Sequence, residues 1–278
     1  MKDRFAPGLP CTDPHAHLGH TCARIGEAEV SRLLERYDLC HSGATGQEEA
    51  PFILDIGTEA GDFAGRKQKF GSHPCLRFSA GLWPGKAALD DISGAMAALA
   101  LDARDSSCSA LGECGLDYHH MDAEPSRQLE LFRAQAVLAK TLRLPLIVHS
   151  REAFGDTLGL VKDFAGSIDI VIHCFGYGAR EARAFLDLGC SLSFAGNISY
   201  KKSDDLREAL ARTPLDMLLL ETDSPYMNPM PMRGKPSTPM DLGRTIALAS
   251  ELIRIDVEEL ALLVHRNALR IFGGIAPV

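Results

Sequence analysis

Two histidines one residue apart, His15 and His17, stand near the amino terminus in the run Thr12-Asp13-Pro14-His15-Ala16-His17-Leu18. On an extended strand successive side chains alternate between faces, so both imidazoles project to the same side, one pleat apart. That arrangement suits a metal ion, provided the chain supplies further ligands. Glu113, His149, His173 and Asp223 are the other donors that the sequence offers. Six donors exceed the four of one tetrahedral ion and suit two. Glu113, centrally placed, is the candidate to bridge them. Two ions about 3.5–4 Å apart can clamp the attacking and leaving oxygens of a displacement and acidify a shared water. The chemistry this points to is hydrolysis.

Donors this far apart in sequence must be gathered by the fold. After the His-x-His strand, Val30, Leu33, Leu34 and Tyr37 recur at helical spacing and predict a helix over 27–39, followed by a polar loop over 41–50. Apolar runs too continuous for a sheet with one wet face predict strands at 51–57, 75–82, 109–115, 145–149, 169–173, 190–197 and 217–221. Helical patterns at 87–103, 126–142, 153–164, 179–188 and 204–211 fall between them. Eight strands alternating with helices call for parallel pairing through right-handed crossovers. The expected architecture is an α/β, TIM-type (β/α)8 barrel, a single domain over 12–278 behind a tail over 1–11. A doubly wound open sheet is the alternative, and it lacks a phosphate-binding glycine fingerprint after the first strand. In such barrels the active site gathers where strands end and βα loops begin. His15 and His17 end the first predicted strand, Glu113 the fourth, His149 the fifth and His173 the sixth, while Asp223 follows the eighth.

The bulk properties agree with an enzyme of this kind. A hydrophobic fraction of 46% supports a large core, and 278 residues fit one barrel. A net charge of −8 provides no global field to attract nucleic acid or an anionic membrane, so any nucleic-acid contact must be local or metal-mediated. The eight cysteines form no C-x-x-C pair, the amino terminus has no secretory pattern, and no apolar run approaches the roughly 18 residues of a membrane span. The expectation is a cytoplasmic protein with reduced thiols, no membrane association and no organic cofactor.

The candidate donors lie in recognisable wording: Asp13-Pro14-His15-Ala16-His17, Gly112-Glu113-Cys114-Gly115-Leu116-Asp117-Tyr118, Val148-His149-Ser150-Arg151, His173-Cys174-Phe175, Ser193-Phe194-Ala195-Gly196-Asn197 and Glu221-Thr222-Asp223-Ser224-Pro225-Tyr226. In these motifs the chain resembles the TatD family of metal-dependent hydrolases, from about residue 12 to residue 273. The resemblance implies a TIM-type barrel, two divalent ions (zinc, manganese, magnesium, iron or nickel) and deoxyribonuclease activity, with D-aminoacyl-tRNA deacylation also attributed to members. It implies that His15, His17 and Asp223 hold one ion, His149 and His173 the other, and that Glu113 bridges them. It also implies Asp223 as the acceptor of the water's proton. Glu221 is a candidate to share the site, and Asp13 to orient a ligand.

Substrate contacts are expected from Arg151 and Arg233, and less from Lys201, Lys202 and Lys235, all at the ends or in the loops of later strands. Tyr226 and Trp83 are candidates to stack on a base, whereas Tyr118 is expected to pack. Two departures bear on the substrate. Where the family carries Gly-x-His-Pro, this chain has Gly81-Leu82-Trp83-Pro84. Its later loop reads Arg233-Gly234-Lys235-Pro236-Ser237-Thr238-Pro239 in place of Arg-Gly-Lys-x-Asn-x-Pro. The leading expectation is a two-metal phosphodiesterase acting on DNA. A metal-dependent deacylase or amidase comes second, and a non-catalytic barrel scaffold third.

Overall fold

The computed structural model describes residues 10–43, 50–121 and 123–273. Eight strands, β1 (Asp13–Ala16), β2 (Ile53–Asp55), β3 (Leu76–Ala80), β4 (Cys108–Asp117), β5 (Leu146–Arg151), β6 (Ile170–Ile172), β7 (Ser191–Phe194) and β8 (Leu218–Leu220), pair in parallel in sequence order. A parallel bridge between Ala16 and Ser224 brings the ends of that sheet together. There the His17 N–H donates to the Ser224 carbonyl (2.8 Å) and the Asp223 N–H to the His15 carbonyl (3.0 Å). Asp13 reinforces the seam: its fully buried carboxylate accepts from the Thr222 N–H (3.1 Å), the Thr222 hydroxyl (2.5 Å) and the His15 N–H (3.2 Å). Burial pushes the Asp13 carboxyl up to about 7, against those three bonds. The expected single-domain TIM-type barrel is the fold of this chain.

The helices are α1 (Leu18–Ile25), α2 (Glu27–Gly43), α3 (Asp62–Phe70), α4 (Lys86–Asp90), α5 (Ile92–Asp102), α6 (Pro125–Leu142), α7 (Phe154–Lys162), α8 (Ala179–Leu186), α9 (Asp204–Arg212), α10 (Leu242–Ile253) and α11 (Val257–Phe272). Inside the barrel, Leu54, Ala110, Val171 and Leu219 pack from the even-numbered strands, joined by Ile147. Layers built from alternate strands are how a closed eight-stranded barrel fills its interior. Ala268, Ile271 and Phe272 of α11 complete this cluster. The Arg77 guanidinium, 3.9 Å above the Phe52 ring, also donates to the Phe272 carbonyl (3.1 Å) near the starts of β2 and β3. The last turn of α11 therefore plugs the amino end of the barrel and leaves its carboxyl end for the site.

Several elements differ from the sequence expectation. The predicted helix over 87–103 is two helices, because the Asp91 side chain accepts from the Gly94 N–H (2.9 Å) and starts a new one. α1, α3, α10 and α11 add to the expected list. α3 buries only Phe63 and Phe70, too little for a helical period to stand out. The expected loop over 41–50 begins inside α2, and its residues 44–49 lie outside the described residues. Strand β4 runs past Glu113 to Asp117, so Glu113 sits in its interior rather than at its end. The pairing with β5 shifts register between Leu111 and Cys114. Gly112 carries the chain through that shift at φ 138°, where a Cβ would stand 2.5 Å from the Ile147 carbonyl oxygen. Among the described residues no helix is long and apolar enough to cross a membrane.

Candidate metal centre

The six predicted donors converge at the carboxyl end of the barrel. His15 closes in from β1, and His17 from the turn between β1 and α1. Glu113 comes from β4, His149 from β5, and His173 and Asp223 from the residues after β6 and β8. His15, His17, Glu113, His173 and Asp223 are all buried, and His149 nearly so. Their donor atoms form two groups. His15 Nε2 and His17 Nε2 lie 3.6 and 3.5 Å from Glu113 Oε2, and 3.8 and 3.4 Å from Asp223 Oδ1. His149 Nδ1 and His173 Nε2 lie 2.9 and 3.0 Å from Glu113 Oε1, and 3.2 Å from each other. Each oxygen of Glu113 thus faces one pair of histidines.

Both spacings fit divalent ions. Ligands about 2.1 Å from a common centre stand about 3.0 Å apart on an octahedron and about 3.4 Å apart on a tetrahedron. The contacts of the first group, at 3.4–3.8 Å, are longer than ordinary hydrogen bonds. His15 Nδ1, His15 Nε2 and His17 Nδ1 are buried without a hydrogen-bond partner among the described residues. A buried polar atom left so is costly unless something else satisfies it.

In the second group the deciding partners stand behind the rings. His149 Nε2 lies 3.1 Å from Asp117 Oδ2, and His173 Nδ1 lies 3.3 Å from Glu221 Oε1. Carboxylates accept but do not donate, so these outer nitrogens carry the protons. In a neutral ring the inner nitrogens then present bare lone pairs to Glu113. Lone pairs facing a carboxylate at 2.9–3.0 Å call for a shared cation, a proton or a metal ion, and a carboxylate behind a histidine is the usual support for a metal ligand.

With no ion bound, the carboxylates and imidazoles of the cluster set one another's charge. Burial opposes charge on Glu113, yet His173, His149 and His15 hold its carboxyl well below the ordinary range. Burial likewise opposes ionisation of Asp223, and His17, His15 and His173 reverse it to lower its pKa. His15, deeply buried and beside His173, is pulled down, whereas carboxylates outweigh burial at His17, His149 and His173 and raise them. Ionised carboxylates among buried imidazoles thus make the cluster attractive to a cation.

A cavity of about 1340 Å³ opens onto this cluster, and its walls include Trp83, Arg151 and Tyr226, three of the residues proposed from the sequence to touch substrate. Glu221, a candidate to share the site, and Arg233, a predicted substrate contact, do not reach the cavity. Glu221 is 1% exposed and does not line the cavity. Its oxygens turn inward to His173, the Cys174 N–H (2.8 Å) and the Ser193 hydroxyl. Arg233 lays its guanidinium over the Tyr200 ring at 4.2 Å and is likewise absent from the cavity wall, as are Lys201, Lys202 and Lys235. The Tyr118 hydroxyl bonds Asp156 (2.7 Å), outside the cavity.

The residue that the sequence reading passed over is Asp117. It ends β4, is 2% exposed, and is fixed by Gln128, which accepts its N–H (2.8 Å) and donates to its carbonyl (2.9 Å). Burial opposes its charge, but bonds from His149 and His120 hold its carboxyl far below the ordinary range. Its place in the Gly-Glu-Cys-Gly-Leu-Asp motif and at a strand end was the available signal.

An eight-stranded parallel barrel that gathers four histidines, a shared glutamate and an aspartate at its carboxyl end defines a class, the barrel of the metal-dependent hydrolases. Residues 12–273 match the TatD related DNase family, and the chain belongs to that family. It is 37% identical over 164 residues to the uncharacterized metal-dependent hydrolase YabD of Bacillus subtilis, an alignment covering 59% of this chain and 64% of YabD. It is 36% identical over 170 residues to the 3'-5' ssDNA/RNA exonuclease TatD of Erwinia amylovora, covering 59% of this chain and 66% of that protein. The alignments therefore span less than two thirds of these relatives. The crystal structure of YJJV, a TatD homolog from Escherichia coli, superposes with a TM-score of 0.81 at 28% identity, covering 95% of this chain and 98% of the other.

Proposed function

We propose that the protein is a two-ion phosphodiesterase acting on DNA or another nucleic acid. The observation that carries this reading is the spacing of the donor atoms around the two oxygens of Glu113. His15, His17 and Asp223 would hold one ion, His149 and His173 the other, with Glu113 shared. Divalent ions so held acidify water and neutralise the charge that develops on phosphoryl oxygens.

The remaining work falls to the chain itself. Asp223, buried and kept ionised by its histidine neighbours, accepts the proton of the attacking water. Asp117 and Glu221 fix the orientation and tautomer of His149 and His173. Arg151 lines the cavity at the end of β5 and offers a two-pronged contact to a phosphate next to the scissile one. The Erwinia relative, described as an exonuclease on single-stranded DNA and RNA, supports this substrate class. Eight free cysteines, six of them buried, are compatible with the reducing cytoplasm proposed as its compartment.

The test is a panel of metals (zinc, manganese, magnesium, iron, nickel) against oligonucleotide, phosphomonoester and aminoacyl-ester substrates, with Asp223→Asn as the matched control. Oligonucleotide cleavage that collapses in Asp223→Asn is the expected result. Ester turnover without oligonucleotide cleavage would replace this reading with the deacylase, and failure to bind any of the metals would leave a non-catalytic barrel.

A further inference from the structure

Outside the cluster, the cavity wall carries two further imidazoles, His20 and His120, each beside a larger aromatic ring. On one side the Tyr226 ring lies 6.0 Å from His17 and 6.2 Å from His20, and its hydroxyl meets His20 Nδ1 at 3.2 Å. On the other, the Trp83 ring lies 6.0 Å from His149 and 6.0 Å from His120, whose Nδ1 bonds Asp117 Oδ2 at 2.9 Å. His17 faces Glu113 Oε2 and His149 faces Glu113 Oε1, so these pairs flank the shared glutamate on opposite sides. In both pairs Nδ1 is occupied, which leaves Nε2 as the polar atom of the ring available to the cavity.

Trp83 and Tyr226 are not buried core aromatics. Tyr226 is 42% exposed and Trp83 is partly exposed, and both border the cavity. At about 1340 Å³ that cavity exceeds the roughly 300–1,000 Å³ of ordinary small-molecule sites, so it has room for more than a single phosphate ester. Aromatic faces bind nucleobases by stacking and do so with little regard to sequence.

We propose that Trp83 with His120, and Tyr226 with His20, form two base subsites, one on each side of the scissile phosphodiester. The inference rests on the phosphodiesterase reading and narrows it. The preferred substrate carries a ring on both flanks of the cleaved bond, stacked on an aromatic face and bounded by an imidazole. A diester lacking either ring loses one subsite.

The experiment pairs protein variants with substrate variants. Metal-loaded wild type, Trp83→Ala and Tyr226→Ala are each given thymidine dinucleotide and its two abasic counterparts, one lacking the base on each side. Omitting either base is expected to cost the wild type about tenfold in kcat/KM. Trp83→Ala becomes insensitive to omission on one side and Tyr226→Ala to omission on the other, while Trp83→Phe and Tyr226→Phe retain most of the sensitivity.

Trp83 is the only tryptophan of the chain, so its emission supplies a readout in the unaltered protein. Stopped-flow mixing with the intact dinucleotide is expected to quench it before turnover, and the dinucleotide abasic on that side is not. Turnover with no quenching, and with both alanine variants as sensitive as wild type to both omissions, overturns the subsites and leaves the phosphodiesterase standing. Quenching specific to the base, without cleavage of any diester, supports the Trp83 subsite and overturns the hydrolytic reading.

Discussion

On the β5–β6 side of the cluster each histidine is braced from behind by a carboxylate, His149 by Asp117 and His173 by Glu221. On the β1 side neither Nδ1 has a partner among the described residues. Ring packing holds those two imidazoles instead: His15 stacks on His173 at 3.9 Å and 4°, and His17 on His20 at 5.2 Å and 23°. The braced half has its tautomers fixed and its inner atoms about 3 Å apart. The unbraced half is wider, at 3.4–3.8 Å, and has no fixed tautomer. The two ion sites proposed to share Glu113 are therefore expected to differ in affinity, the braced one being tighter because less reorganisation is left for binding.

The largest effect should come from the residue common to both halves. Glu113→Gln is expected to lower kcat on the order of 10³-fold and to reduce the content of both ions, measured by elemental analysis of the purified variant. Loss of one ion alone would show that the halves do not share Glu113. Next come the braces themselves. Asp117→Asn and Glu221→Gln should each weaken the tighter ion about 10- to 100-fold in chelator competition, with the looser ion little changed. Equal weakening of both would erase the asymmetry.

Graded metal removal sharpens the same contrast without any substitution. If two ions bind as proposed, a chelator titration should release the one at His15, His17 and Asp223 first, in two resolved steps, and a single step would contradict the difference in bracing. The smallest effect belongs to a pair outside both halves. Lys67, then the Ser107 bonds, pull the Asp105 carboxyl down from 3.8 to about 2. A carboxyl depressed on folding adds stability above its unfolded pKa, and loses it as pH falls from about 4 through 2. With Asp105 a third exposed, the contribution is under about 1 kcal/mol. Lys67→Met should therefore lower stability slightly above pH 4, measured by denaturant unfolding, with ion content unchanged.

The barrel was legible because its strands are buried on both faces and read as continuous apolar runs, and its donors because strand ends are where such barrels place them. Glu113 shows the limit of that rule. It sits in the interior of a ten-residue strand, and only the register shift at Gly112 delivers it to the mouth. α3 was illegible because two buried residues in nine leave no period.

By itself, the sequence determined the fold class and the family and named the six candidate donors, since each depends on residue type and order along the chain. Tertiary structure decided which donor faces which, that Glu113 offers one oxygen to each pair, and that Asp117 and Glu221 stand behind two of the four histidines. It also turned Glu221 and Arg233 away from the cavity while leaving Trp83 and Tyr226 on opposite flanks of the site. These are distances between residues as many as 208 positions apart, as for His15 and Asp223. They are fixed by how strands stagger and close into a barrel, a property of the assembled sheet that no local stretch of the chain contains.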